Sequence, residues 1–136
     1  MAFDRVRGDK IHKTVILDTS AILSFFEFSI DWEKELFRLL DGYKIIVPSE
    51  VIKELEILSK QTASQRKQKA AAALKFAERY ETIDTRAGNA DDAAMEAARK
   101  THGVVATNDT ELRKRLKHES IPVIFLRGKK KLALDE

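Results

Sequence analysis

Short apolar runs alternate with longer amphipathic segments along most of this chain. The apolar runs are three to six residues long and almost continuous, which is typical of strands buried on both faces. The segments between them carry apolar residues at helical spacing, as in residues 31–40, where Trp32, Leu36 and Leu39 recur. Helices that alternate with such strands predict a parallel sheet with helices on both faces.

The boundaries of these elements follow from turn and cap residues. Strands are predicted at 13–17, 44–48, 81–84, 104–107 and 123–126. Helices are predicted at 20–26, 31–40, 49–59, 65–80, 90–101 and 108–117. Ser49 is the predicted N-cap of the third helix, and Asn108 with Glu111 forms a predicted capping box at the start of the sixth.

Length and composition narrow the class of protein. A chain of 136 residues fits one domain, 1–136, with residues 1–12 as an N-terminal extension and 127–136 as a basic tail. It has no cysteine, which excludes disulfides and cysteine-bound zinc and favours the cytoplasm. The apolar runs are far shorter than the ~20 residues of a membrane helix, so no membrane association is expected.

Positive charge is unevenly distributed, although the net charge is only +3. One basic segment runs from Lys60 to Arg79 and includes the predicted fourth helix. The other is the C-terminal quarter, with Arg113, Lys114, Arg115 and Lys117 followed by Arg127 and the lysines at 129–131. Both could contact a phosphate backbone, or they could be a solvated helix face and a free tail. The candidate nucleic-acid-binding residues are Arg66, Lys67, Lys69, Arg127, Lys129, Lys130 and Lys131.

Acidic residues occur where the predicted strands end. Asp18 follows the first strand and Asp109 the fourth, Asp91 and Asp92 begin a helix, and Glu54 flanks an apolar helical stripe. Parallel sheets bind ligands at the carboxyl ends of their strands. Taken singly, the aspartates are ordinary helix caps and Glu54 an ordinary surface residue. Taken together, several carboxylates at one edge would repel one another unless a cation is bound. Oxygen ligands without cysteine favour Mg²⁺ or Mn²⁺, which makes phosphodiester hydrolysis the expected reaction.

Three stretches, VILDTSAIL, IVPSEVIKELEIL and ADDAAMEAARKTHGVVATNDTELRKRL, resemble the PIN-domain nucleases over nearly the whole chain. The resemblance implies a three-layer α/β/α sandwich with a five-stranded parallel sheet, and a hydrolase that uses Mg²⁺ or Mn²⁺ to cut RNA. It assigns Asp18, Glu54, Asp92 and Asp109 as catalytic metal ligands, with Asp91 as a second candidate beside Asp92.

Within that family, the lysine-rich helix and the ending IPVIFLRGKKKL look like archaeal relatives of the small-subunit processome nuclease that cuts pre-rRNA. The resemblance therefore implies an endoribonuclease that acts on an rRNA precursor, in a possible homodimer. The alternatives are a ribonuclease toxin, which would have an antitoxin partner, and a non-catalytic RNA-binding scaffold. Thr19, Ser20, Thr107 and Asn108 would orient the carboxylates or contact phosphate; otherwise they are cap and turn residues.

Overall fold

A computed structural model describes residues 13–61 and 64–136, with the backbone alone for 64–66. The predicted N-terminal extension, 1–12, lies outside the described residues. The strands are β1 (Lys13–Leu17), β2 (Tyr43–Pro48), β3 (Glu81–Ile83), β4 (Val104–Ala106), β5 (Val123–Arg127) and β6 (Lys131–Asp135). The helices are α1 (Thr19–Glu27), α2 (Trp32–Leu40), α3 (Ser49–Ser59), α4 (Ser64–Ala77), α5 (Ala90–Thr101) and α6 (Thr110–His118).

The strands form one sheet in the order β3-β2-β1-β4-β5-β6. The first five strands in this order are parallel, as expected, and β6 pairs antiparallel with β5. The described residues thus form a six-stranded sheet. The segment 127–136 was expected to be a basic tail, but residues 131–135 are a strand. These residues form the second strand of a hairpin that turns through Gly128, whose φ is +70°.

Two apolar layers cover the sheet, because its central strands are buried on both faces. Val15 and Leu17 face the layer built with α1, α2 and α4, whereas Ile16 between them faces α5 and α6. All three side chains are fully buried. This alternation confirms the three-layer α/β/α sandwich. Within the described residues, no helix is long and apolar enough to cross a membrane.

Helix α2 protects the free edge of β6. The buried carboxylate of Glu35 accepts a hydrogen bond from the Leu132 backbone N–H at 2.9 Å, and Arg38 donates to the Leu132 carbonyl at 2.7 Å. Arg38 also donates to Glu35 at 2.8 Å, and this bond lowers the pKa of that carboxyl. The two side chains thus satisfy backbone groups that an edge strand leaves unpaired.

Both predicted N-caps need correction. Pro48 occupies the cap position of α3, and Ser49 is already its first helical residue. Helix α6 begins at Thr110 and is capped by Asp109, one residue later than predicted. Asn108 instead lies in the preceding turn, where its side-chain oxygen bonds to a backbone N–H of β5.

Candidate active site

An acidic pocket lies at the carboxyl edge of the sheet. Strands β1 and β4 are neighbours, so Asp18 and Asp109 are brought together just after the strands end. Glu54 approaches from α3, and Asp91 from the first turn of α5. The pocket has a volume of about 260 Å³ and is lined by Asp18, Thr19, Ser20, Leu23, Glu54, Leu58, Asp91 and Asp109.

Asp18 is held in place by two hydroxyl groups. It is only 3% exposed, and its Oδ2 accepts hydrogen bonds from Thr107 at 2.7 Å and from Ser20 at 3.0 Å. Asp18 stands at the N-cap position of α1 but makes no side-chain cap bond there. Burial raises the pKa of this carboxyl, and the two hydroxyl bonds act in the opposite direction. The structure therefore keeps a carboxylate in an environment that disfavours its charge.

The same hydroxyls connect β1 to the turn after β4. Thr107 Oγ1 accepts the Asp109 N–H at 3.1 Å, and Ser20 Oγ accepts the Asn108 N–H at 2.9 Å. Ser20 and Thr107 also lie 3.1 Å apart, oxygen to oxygen. Thr107 is fully buried, so these contacts are shielded from water. The pair positions Asp18; contact of either hydroxyl with phosphate stays a prediction.

Glu54 and Asp109 are fixed by separate contacts. The Thr19 hydroxyl donates to Glu54 Oε1, which links the first residue of α1 to α3. Asp109 Oδ1 accepts the backbone N–H groups of Glu111 and Leu112 at 2.9 and 3.1 Å. Asp109 therefore caps α6 and lines the pocket at the same time, so the two interpretations of this aspartate are compatible.

Asp92, the ligand that the resemblance favours, and its neighbour Asp91 lie in different places, and which of them binds a metal stays a prediction. Asp91 lines the pocket, whereas Asp92 forms an ion pair with Arg115 of α6 at 2.6 Å and is also bonded to Asn89. Asn89 caps α5 by accepting the Asp92 backbone N–H at 2.9 Å. The Arg115 bond lowers the pKa of Asp92, as expected for a carboxylate neutralised by the protein itself.

The pocket carries negative charge that its own side chains leave largely uncompensated. The pKa of Asp91 is raised first by burial and then by the neighbouring Asp109, with Glu54 adding to the rise and Arg115 opposing it. Carboxylates in this situation are stabilised by a cation. In residues 13–61 and 64–136, no three acidic or histidine side chains form a ready-made metal site. The donors that line the pocket are carboxylate and hydroxyl oxygens, which are the ligand type of hard divalent cations.

The predicted basic residues fall in two places. Arg127 and the lysines at 129–131 are exposed at the tip of the β5–β6 hairpin. Strand β4 ends at Ala106, which pairs with Ile124 of β5, whereas β5 continues to Arg127. The last three residues of β5 therefore extend about 10 Å beyond the carboxyl edge of the sheet, where the pocket lies. Lys67 is exposed and Lys69 half-buried on α4, on the opposite face from α6. The side chain of Arg66 lies outside the described part.

Two leucines of the pocket were missed at the sequence level. Leu23 follows Thr19 by four residues on α1, and Leu58 follows Glu54 by four on α3. Residues four apart lie on the same helix face, so each leucine extends the face that carries a polar site residue. The four-residue spacing could have identified both leucines from the sequence. In the structure they form an apolar wall beside the carboxylates.

The fold and the site together define an α/β protein with a carboxylate-lined pocket suited to a divalent cation. Residues 15–129 match the PIN-like domain family, and the chain belongs to it. This confirms the family that the sequence motifs indicated.

Named relatives come from two groups. Ribonuclease VapC4 of Methanocaldococcus jannaschii is 34% identical over 85% of this chain and 92% of its own length. Ribonuclease VapC9 of Archaeoglobus fulgidus is 29% identical over 99% of this chain and 98% of its own. Among solved structures, the PIN domain endonuclease Utp24 aligns with a TM-score of 0.73, 27% identity and coverage of 90% of each chain. The sequence relatives are thus VapC proteins, and the expected particular likeness to the processome nuclease has its support in the structural comparison.

Proposed function

We propose that this protein is a divalent-metal-dependent endoribonuclease. The observation that carries the proposal is the meeting of four carboxylates, each from a different part of the chain, in one pocket: Asp18, Glu54, Asp91 and Asp109. Family membership supports hydrolase chemistry, and the two VapC relatives are named as ribonucleases.

The four carboxylates would hold Mg²⁺ or Mn²⁺ directly or through water. A bound ion of this kind lowers the pKa of a water that attacks phosphorus and stabilises charge on the departing oxygen. The protein's own part is to hold the acceptors in place. Thr107 and Ser20 orient Asp18, and Thr19 orients Glu54. Exposed cations at the hairpin tip would attract the RNA backbone without reading its sequence.

Neighbouring aspartates provide a matched test of the site. Asp91→Asn removes a pocket carboxylate, whereas Asp92→Asn makes the same chemical change one residue away, at an ion pair with Arg115. We expect Asp91→Asn to reduce cleavage of labelled single-stranded RNA by at least ~100-fold, since even supporting residues around metal sites are worth 10–100-fold. Asp92→Asn should retain activity within about tenfold.

Cleavage should require Mg²⁺ or Mn²⁺ and disappear with chelator. Asp18→Asn, run beside the pair, should be inactive as well. Equal cleavage by wild type and both pocket variants would show that the activity comes from a contaminant. RNA binding without cleavage under every metal condition would favour the non-catalytic scaffold.

For the cellular role we propose cleavage of a ribosomal RNA precursor in the cytoplasm. The motif resemblance implies this role, and the likeness to the endonuclease Utp24 supports it. The VapC relatives support a second candidate, a toxin held in check by an antitoxin.

Expression in a heterologous host distinguishes the two roles. A toxin should arrest growth, the arrest should require Asp18, and a co-expressed antitoxin should relieve it. A processing nuclease should be tolerated and should cut a structured precursor rRNA at a defined position. Light scattering of the same preparation tests the homodimer that the family resemblance implies.

A further inference from the structure

We propose that a groove between α6 and the β5–β6 hairpin holds the single-stranded RNA that adjoins the scissile phosphate, with Arg113 stacked on Phe125 as its main contact. This inference rests on the proposed ribonuclease function and specifies where the substrate lies. It also specifies residues outside the acidic pocket, and within the basic C-terminal quarter it selects those of α6.

The groove and the acidic pocket are lined by consecutive residues at the N-terminus of α6. It has a volume of about 270 Å³ and is lined by Thr110, Arg113, Lys114, Lys117 and Asp135. Asp109 lines the acidic pocket, and Thr110, the next residue, lines the groove. Both cavities therefore use the N-terminus of α6, and we expect a strand held over the carboxylates to continue into the groove.

The charge of the groove is complementary to RNA. Three of its five lining residues are basic, and Asp135 is its acid. Lys117 pairs with Asp135 at 3.4 Å and Lys114 with Glu111 at 3.6 Å, but the two lysine side chains are 70% and 76% exposed. Exposed pairs of this kind are weak, so these lysines can exchange their partners for phosphate oxygens at little cost.

Arg113 differs from the lysines because the protein already holds it in position. Its guanidinium lies 3.8 Å from the centroid of the Phe125 ring, and the buried Leu112 fixes the helix beside it. A guanidinium stacked by its face keeps its in-plane N–H groups as donors to phosphate or to a base. Because less side-chain freedom is lost on binding, such a residue contributes more than a mobile lysine.

The groove also gives the strand a direction. Along α6, Arg113 and Lys117 lie about 5 and about 10 Å from Thr110, at 1.5 Å per residue. Both follow the helix away from the carboxylates on the side that faces the hairpin. Contacts to phosphates carry no sequence information, so this surface predicts affinity and direction without a preference for base.

Binding is tested first in chelator, where no cleavage occurs. The probe is a fluorescent oligouridine of about 12 nucleotides, within the range bound by single-strand grooves. We expect Arg113→Gln to weaken binding by about tenfold and to reduce the salt slope by about 1. The matched control is Arg79→Gln, which removes a guanidinium lying over Phe76, 5.5 Å from its centroid, on the opposite side of the sheet, and it should bind like wild type.

Two further variants separate stacking from charge and from misfolding. Phe125→Leu keeps an apolar side chain but removes the ring, and Arg113→Lys keeps the charge but removes the planar donor group. Both should lie between wild type and Arg113→Gln in affinity, with unfolding midpoints close to wild type. In cleavage assays with metal, Arg113→Gln should raise KM about tenfold and change kcat by less than about threefold.

The outcomes separate this inference from the proposed function. If wild type cleaves RNA and Arg113→Gln binds and cleaves like it, the groove assignment is overturned and the nuclease remains. If wild type binds RNA through Arg113 but never cleaves it, the nuclease proposal fails and the groove stands. Absence of RNA binding by wild type overturns both.

Discussion

Replacing Thr107 with valine tests whether its buried hydroxyl is what holds the carboxylate of Asp18 in place. Thr107 is fully buried, donates to Asp18 Oδ2 at 2.7 Å and accepts the Asp109 N–H at 3.1 Å. Valine puts a methyl group where the hydroxyl stands and keeps the branched shape. The substitution therefore removes two hydrogen bonds while the surrounding side chains stay in contact.

The expected loss of stability follows from the kinds of bond removed. A hydrogen bond to a charged group contributes about 1.5–3 kcal/mol, and an N–H left without an acceptor costs about 1–3 kcal/mol. Ser20 remains as a donor to Asp18, and the methyl group needs no hydrogen-bond partner, so part of this cost is offset. We expect the free energy of unfolding to fall by about 2–3 kcal/mol, which lowers the Tm of a domain of this size by about 6–12 °C.

The assay is thermal and urea unfolding in chelator, with Thr107→Ser as the matched control. Serine keeps the hydroxyl and loses one buried methyl group, for a cost of about 1 kcal/mol. Cleavage should fall by about 10–100-fold in the valine variant and stay within a fewfold of wild type in the serine variant. If valine is no more destabilising than serine, the hydroxyl does not support Asp18 as argued.

Three other substitutions probe the fold and the site. Asp18→Asn should increase the unfolding free energy in chelator at neutral pH by about 0.5–2 kcal/mol, because it removes a buried charge while abolishing cleavage; a destabilised variant would contradict this. Glu35, whose pKa is lowered by its bond from Arg38, contributes stability that is complete above its ordinary pKa of 4.5 and is lost as the pH falls through the lowered value. Glu35→Gln should therefore flatten the decline in stability that wild type shows below about pH 5, measured by urea unfolding at each pH. Gly103→Ala should destabilise by about 1–3 kcal/mol, since its Cβ would stand 2.5 Å from a backbone carbonyl of β1; wild-type unfolding would show that this approach can relax.

The first five strands were predictable because the chain alternates strand and helix and four of them are short apolar runs; β3, with the sequence ETI, followed from its place in that alternation. The sixth strand was not predictable, because its apolar pattern is weak and its first residue belongs to a run of lysines. In residues 131–135, Leu132 is buried and Lys131 exposed, but the preceding lysines made the segment look like a solvated tail. What stabilises this strand comes from far away in sequence, from the Glu35 and Arg38 contacts with Leu132. Contacts between residues so far apart in sequence leave no pattern in the residues of the strand itself.

The hydroxyl contacts around Asp18 illustrate a second limit. Thr107 was a candidate for orienting a carboxylate, yet turn residues of this kind are equally common as simple caps. Only the pairing of β1 with β4 brings Thr107 and Ser20 within 3.1 Å of each other, across 87 positions of sequence. The residue type of Thr107 allowed either role, and the pairing of β1 with β4 is what makes it a hydrogen-bond donor to Asp18.

The choice between Asp91 and Asp92 was different, because the deciding information was present in the sequence. On a helix, positions three, four and seven residues later share a face with the starting residue. From Asp91 these positions are Ala94, Met95 and Ala98, all buried, so this aspartate lies at the end of the stripe that packs against the sheet. From Asp92 they are the buried Met95, the half-buried Glu96 and the exposed Arg99, so its face turns towards solvent and the Arg115 ion pair. The same reasoning from helical phase had selected Glu54 on α3, and applied to α5 it would have selected Asp91.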